Sequence, residues 1–220
     1  MQTILHPYKE SRRSTLPGGT EPRINTLPDD WSISPNFSDW TPGDVVLSQG
    51  DGTMKGEVIV IAIKAGAFWL NRCPEQDDRK WIHVAIYAGD GLLIEATKKG
   101  VVITPVCQQV IESAICMRRC KKVQDATEGM QLVEVAMTLV GTPYMQLVKL
   151  VSVYLAGVEK KEISGIDLGD DAFTCSTFVQ HVFLKALGVV LNKKFVACMP
   201  CEFVNHENLK PITIGWRLAA

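Results

Sequence analysis

The sequence has little net charge, no long apolar run and no orderly cysteine pattern, and each lack excludes a class of protein. Lys and Arg number 23 against 24 Asp and Glu, a formal net charge of −1. That balance gives no electrostatic case for nucleic acid or an anionic membrane as the main partner. The two most apolar stretches, "VIVIAIKAGAFWL" and "LVKLVSVYLAGV", are broken by Lys64 and Lys149. Both are shorter than the roughly 20 residues a membrane helix needs, so no transmembrane segment is expected. The opening "MQTILHPYKESRRSTLPGG" lacks a charged start followed by an apolar run, so no secretory signal is expected either. Seven cysteines cannot all pair within one chain, and their spacing is not that of a secreted disulfide scaffold. Together these features predict synthesis in the cytoplasm, in a reducing compartment.

What remains is a chain of 220 residues, 46% hydrophobic, long enough to bury a sizeable core. Residues 1–40 are rich in Pro, Ser, Arg and Asn and read as an extended arm, with Trp31, Phe37 and Trp40 as anchors. Residues 41–220 read as a single domain that opens on the turn and strand "TPGDVVLS". Apolar or alternating runs predict further strands at 57–63, 82–88, 92–97, 101–104 and 114–118. From about 128 the period becomes helical, in "EGMQLVEVAMTLVG", "YMQLVKLVSVYLAGV" and "CSTFVQHVFLKALG". "PCEFVNHENL" reads as a short fourth helix and "ITIGWRL" as a final strand. The fold class is α+β, an antiparallel sheet packed against helices.

Cys175 opens the third helix, where orphan N–H groups and the helix dipole favour a thiolate. A packing cysteine is the alternative, so the thiol needs a base. Of the four histidines, His6 lies in the arm and His206 in the polar "NHEN". His181 is six residues beyond Cys175, about 600° around the helix, and points away from it. His83 starts "HVAIYAGDGLLIEA", a hairpin with "GDG" at its turn. A two-residue loop, Asp90-Gly91, would set Glu95 on the face opposite His83. A three-residue loop, Gly89 to Gly91, sets Ala85 across from Glu95 and makes His83 and Glu95 diagonal neighbours. This second register also gathers Ile82, Val84, Ile86, Leu92, Ile94 and Ala96 on one apolar face, so it is the register expected. A histidine beside a carboxylate is the base and orienting group that a nucleophilic thiol requires.

The segments "VAMTLVGTPY", "FTCSTFVQHVFLKALGV", "HVAIYAGDGLLIEA" and "PGDVVL" together resemble the NlpC/p60 papain-like superfamily over residues 42–205. The histidine segment precedes the cysteine segment, the order of the circularly permuted branch that includes the YiiX-like proteins and the lecithin:retinol acyltransferase relatives. The resemblance implies a permuted papain-like fold, an antiparallel sheet or barrel against a helical part that carries the nucleophile. It implies Cys175 as nucleophile, His83 as base and Glu95 as the orienting third residue, with the Cys175 backbone N–H as an oxyanion donor. Tyr144, Tyr87, Thr174 and Ser176 flank these motifs and would line the substrate cleft. Two departures stand out: residues 145–174 separate Tyr144 from Cys175, and Thr174 stands where cell-wall members usually carry aspartate.

The activity so implied is a cysteine peptidase or amidase that cuts peptidoglycan stem peptides and needs no cofactor or metal. Lacking an export signal, such an enzyme fits an antibacterial effector delivered by a contact-dependent (type VI) system into a target cell's periplasm. It would then have a secretion-system carrier and an immunity protein as partners. A second reading keeps the three residues but acts on lipid esters or thioesters, with the apolar 145–158 segment forming the cleft. A third takes "CMPC" (198–201) as a redox or zinc motif. It lacks a βαβ context, and Cys73, Cys107, Cys116 and Cys120 offer no second clean pair.

Overall fold

A computed structural model describes residues 32–49, 78, 80–107, 109, 114–145, 172–191 and 198–219. The strand expected at 57–63, residues 1–31 of the arm with Trp31, Cys73, and residues 146–158 of the second helix lie outside them. Six strands form one antiparallel sheet: β2 (Val45–Gln49), β3 (Trp81–Gly89), β4 (Leu92–Thr97), β5 (Gly100–Pro105), β6 (Ile115–Cys120) and β7 (Leu209–Ile212), in the order β5-β4-β3-β2-β6-β7. A separate two-stranded ladder pairs β1 (Ser32–Pro35) with β8 (Trp216–Ala219). The segment read as one final strand is therefore two, because the chain leaves the main sheet after Ile212 and pairs with the stretch before Asn36.

The sheet is buried on both faces. On one face Val45, Leu47, Val84, Ile86, Ile94 and Ala96 pack with the helices α1 (Ala126–Thr138) and α2 (Cys175–Leu187). On the other, Val46, Ala85, Tyr87, Leu93, Ile115 and Met117 form a second core with Trp40, Val106 and Ile214. The expectation of a single apolar face was incomplete, and Leu92, assigned to it, is exposed. Tyr87 shows how the second face is closed. Phe37 stacks on its ring at 6.0 Å and Trp40 meets it edge-on at 5.0 Å.

The β3–β4 pairing sets Ile86 opposite Ile94 and Tyr87 opposite Leu93, as the apolar pattern requires. The turn that achieves it differs from the expected three-residue loop. Only Asp90 and Gly91 form it, with φ 53° and 75°, the paired positive values of a tight hairpin turn. An extra residue between Tyr87 and Gly89 then shifts the ladder and restores the pairing.

Each helix starts on a side-chain cap. The Asp125 carboxylate accepts the Glu128 N–H at 2.9 Å, and α1 then buries Gly129, Leu132, Val133 and Ala136 at helical spacing. Helix α2 is capped by Thr174, whose hydroxyl oxygen accepts the Thr177 N–H at 3.2 Å, while Thr177 Oγ1 accepts the Thr174 N–H at 2.9 Å. Its first nine residues are all buried, so it runs through the interior rather than over it. Gly188 ends it at φ 61°, with the Gly188 N–H donating to Leu184 O and that of Val189 to Phe183 O. The expected fourth helix is a single 3₁₀ turn, Pro200–Phe203.

Helix α1 approaches the Pro42-Gly43-Asp44 turn so closely that a Cβ on Gly129 would lie 2.0 Å from Pro42 O. Gly129→Ala is therefore expected to destabilise the protein by about 1–3 kcal/mol in urea denaturation, through overpacking against backbone. An unchanged midpoint would contradict the close approach.

Candidate functional site

His83 and Glu95 meet on neighbouring strands, with His83 Nε2 2.5 Å from Glu95 Oε2. Strand alternation alone does not explain how the same histidine meets helix α2. Along β3, Ala85 and Tyr87 belong to one core and Val84 and Ile86 to the other. Trp81, which strict alternation would set beside Ala85, joins Val84 and Ile86 instead. The switch coincides with a break in the β2–β3 ladder, where Ser48 pairs with His83 but Gln49 pairs with Trp81. His83 stands at this irregularity, so its ring reaches Glu95 and is also hydrogen-bonded to Cys175, the first residue of α2.

The electrostatics follow from these contacts. Burial disfavours a charged His83, but hydrogen bonds to Cys175 and Glu95, and their charges, outweigh it and raise the imidazole from 6.5 to about 10. Burial likewise pushes the Glu95 carboxyl up. Hydrogen bonds and charge from His83, with hydrogen bonds from Thr104 and Gln109, overcome that and hold it below its usual 4.5. Glu95 is 3% exposed and Cys175 is buried as well, whereas the imidazole is 24% exposed, so solvent reaches the cluster at the ring.

The other residues singled out in the sequence are placed differently. Thr174 and Ser176 flank Cys175, but their side chains are buried and engaged. Thr174 caps α2, and Ser176 Oγ donates to Cys198 O at 2.6 Å. Tyr87 is buried beneath Phe37 and Trp40, its hydroxyl oxygen accepting the Gly91 N–H at 3.3 Å. These three side chains are engaged within the framework. Tyr144 is half-buried and forms a parallel bridge with Phe173, two residues before Cys175. His181 packs edge-on against Phe173, 5.2 Å between ring centres, and His206 Nδ1 accepts the Asn208 N–H.

Cys198 and Cys201 are not bonded to each other: Cys198 is a thiol and Cys201 is disulfide-bonded. Burial pushes the Cys116 thiol up to about 12, marking it as a packing cysteine.

Two polar partners of Glu95 were not anticipated. The Thr104 hydroxyl donates to Glu95 Oε1, and Gln109 Nε2 donates to Oε2 at 3.2 Å. Thr104 was within reach of the same pairing argument: Glu95 pairs with Val102 across the next hairpin, which makes Thr104 its diagonal neighbour. Gln109 lies beyond the strand, where alternation gives no signal.

The two shifts fix a pH window. A histidine raised on folding stabilises the fold fully below about 6.5 and loses that contribution as pH rises through about 10. A lowered carboxylate contributes above about 4.5 and loses it as pH falls through its depressed value. The stability advantage of wild type over Glu95→Gln, measured by urea denaturation, should therefore be largest between about pH 4.5 and 6.5 and shrink on both sides. A flat difference from pH 3 to 11 would contradict the charged pair.

Among the described residues no helix is long and apolar enough to cross a membrane. No protein-family model matches the sequence, and no curated protein matches it. The fold does match a solved structure, the metalloprotein YiiX (DUF1105) from Escherichia coli O157:H7. The TM-score is 0.56 and the identity 16%, covering 80% of this chain and 98% of that one. Among the described residues no group of three or more His, Cys, Asp or Glu side chains could hold a metal ion. The chain thus shares its α+β fold with YiiX, with His83 against the Glu95 carboxylate and against Cys175 at the start of a buried helix.

Proposed function

We propose that the protein is a papain-like cysteine hydrolase of the circularly permuted type, with Cys175 as nucleophile, His83 as base and Glu95 as orienting group. The observation that carries this reading is the imidazole with one nitrogen on a buried carboxylate and a hydrogen bond to a helix-terminal thiol. The thiol proton resides on His83 as an imidazolium, whose pKa is raised to about 10, and the sulfur attacks the substrate carbonyl. Backbone N–H of Cys175 receives the developing oxyanion at the helix N-terminus. The imidazolium then gives its proton to the leaving amine, which departs and leaves a thioester on Cys175. His83 next deprotonates a water, whose attack releases the acid and restores the thiol. Glu95 holds the ring and supports its positive charge throughout.

For substrate we propose peptidoglycan stem peptides, on the likeness of the four sequence segments to the cell-wall superfamily. In that setting the protein acts as a contact-delivered antibacterial effector, with an immunity protein and a secretion-system carrier as partners. Digestion of purified sacculi, with products identified by mass, tests bond and mechanism together. Wild type should release new stem-peptide fragments and Cys175→Ala none, a loss of at least about a thousandfold. Equal release by both proteins would overturn the mechanism. Cleavage of lipid esters or thioesters with sacculi left intact would replace the peptide substrate by an acyl one.

A further inference from the structure

We propose that Thr104 and Gln109 are positioning residues that lock the Glu95 carboxylate, and through it the His83 ring, in the orientation that is hydrogen-bonded to Cys175. The inference rests on the reading of Cys175 as a nucleophile and extends it to two residues on neither its helix nor its histidine strand. Glu95 is almost wholly buried, so each carboxylate oxygen left without a donor would carry an uncompensated desolvation cost. Among the described residues its donors are three side chains. His83 Nε2 and Gln109 Nε2 both reach Oε2, at 2.5 and 3.2 Å, and the Thr104 hydroxyl takes Oε1.

A carboxylate held only by the histidine could turn about its last torsion and carry the ring with it. Donors at both oxygens, from β5 and from just beyond it, remove that freedom. Thr104 and Gln109 are neutral, so they fix orientation without competing for the proton. The Glu95 carboxylate acts on His83 through its charge and in turn feels His83. Removing a neutral donor therefore alters how firmly the carboxylate supports the imidazolium while leaving the number of charges unchanged.

The test is the pH profile of iodoacetamide alkylation at Cys175, followed on its own peptide by mass spectrometry in the folded full-length protein. Thr104→Val and Gln109→Leu should each slow alkylation by about tenfold near neutral pH and change the profile's shape, whereas Thr104→Ser should keep the wild-type profile. Melting temperatures accompany each variant. A fall in melting temperature with an unchanged pH profile would reduce both residues to a structural role and overturn the inference. Failure of Thr104→Ser alongside Thr104→Val would also overturn it, since the hydroxyl would not be the active feature. Wild-type profiles in Thr104→Val and Gln109→Leu, with His83→Ala still slow, would refute this inference and leave the nucleophile reading standing. Equal alkylation of wild type and His83→Ala would remove that reading itself.

Discussion

Burial of the central sheet on both faces is the constraint from which the site follows. A two-faced core leaves the middle of β4 buried on both sides, so Glu95 has to find its partners inside the protein. Its nearest one is His83, placed at the one step where the β2–β3 ladder loses register. In a regular ladder that histidine would belong to one face. At the irregularity it joins a carboxylate to a helix packed against the opposite core. The departure from regular geometry therefore makes the chemistry available.

The thiol is held with comparable care. Thr174 and Thr177 satisfy each other across the first turn of α2, and Ser176 is tied to Cys198 O, so Cys175 sits between two anchored residues. The approach to the helix is anchored too. Phe173 N–H donates to Pro143 O and Met145 N–H to Phe173 O, while Gly141 and Thr142 exchange hydrogen bonds with Val101 on the outer strand β5. A run of backbone contacts thus links the edge of the sheet to the start of α2.

Much of this was legible in the sequence, for identifiable reasons. The hairpin register followed from the alternation of Val84, Ile86, Ile94 and Ala96, because a one-residue slip would have exposed all of them. The turn itself was misread, since a two-residue turn with one bulged residue gives the same pairing as a three-residue loop. Thr174 and Ser176 were read as cleft residues by their nearness to Cys175. At a helix N-terminus, however, short hydroxyl side chains bond first to the helix's own backbone and its immediate neighbours. The second core was hidden because it draws on Trp40 and Ile214, far apart in sequence from the strands they cover. Gln109 escaped for the same reason, its contact with Glu95 being set by where the chain turns after β5.

The central claim is that one of seven cysteines is a nucleophile, and that a single histidine makes it so. The most direct measurement is treatment of the native protein with one equivalent of an epoxide electrophile, followed by intact-mass and peptide mapping. The account predicts one adduct, on Cys175, that disappears in His83→Ala while the variant remains folded. Label spread over Cys107 and Cys116, no adduct at all, or an adduct on Cys175 indifferent to His83 would contradict it.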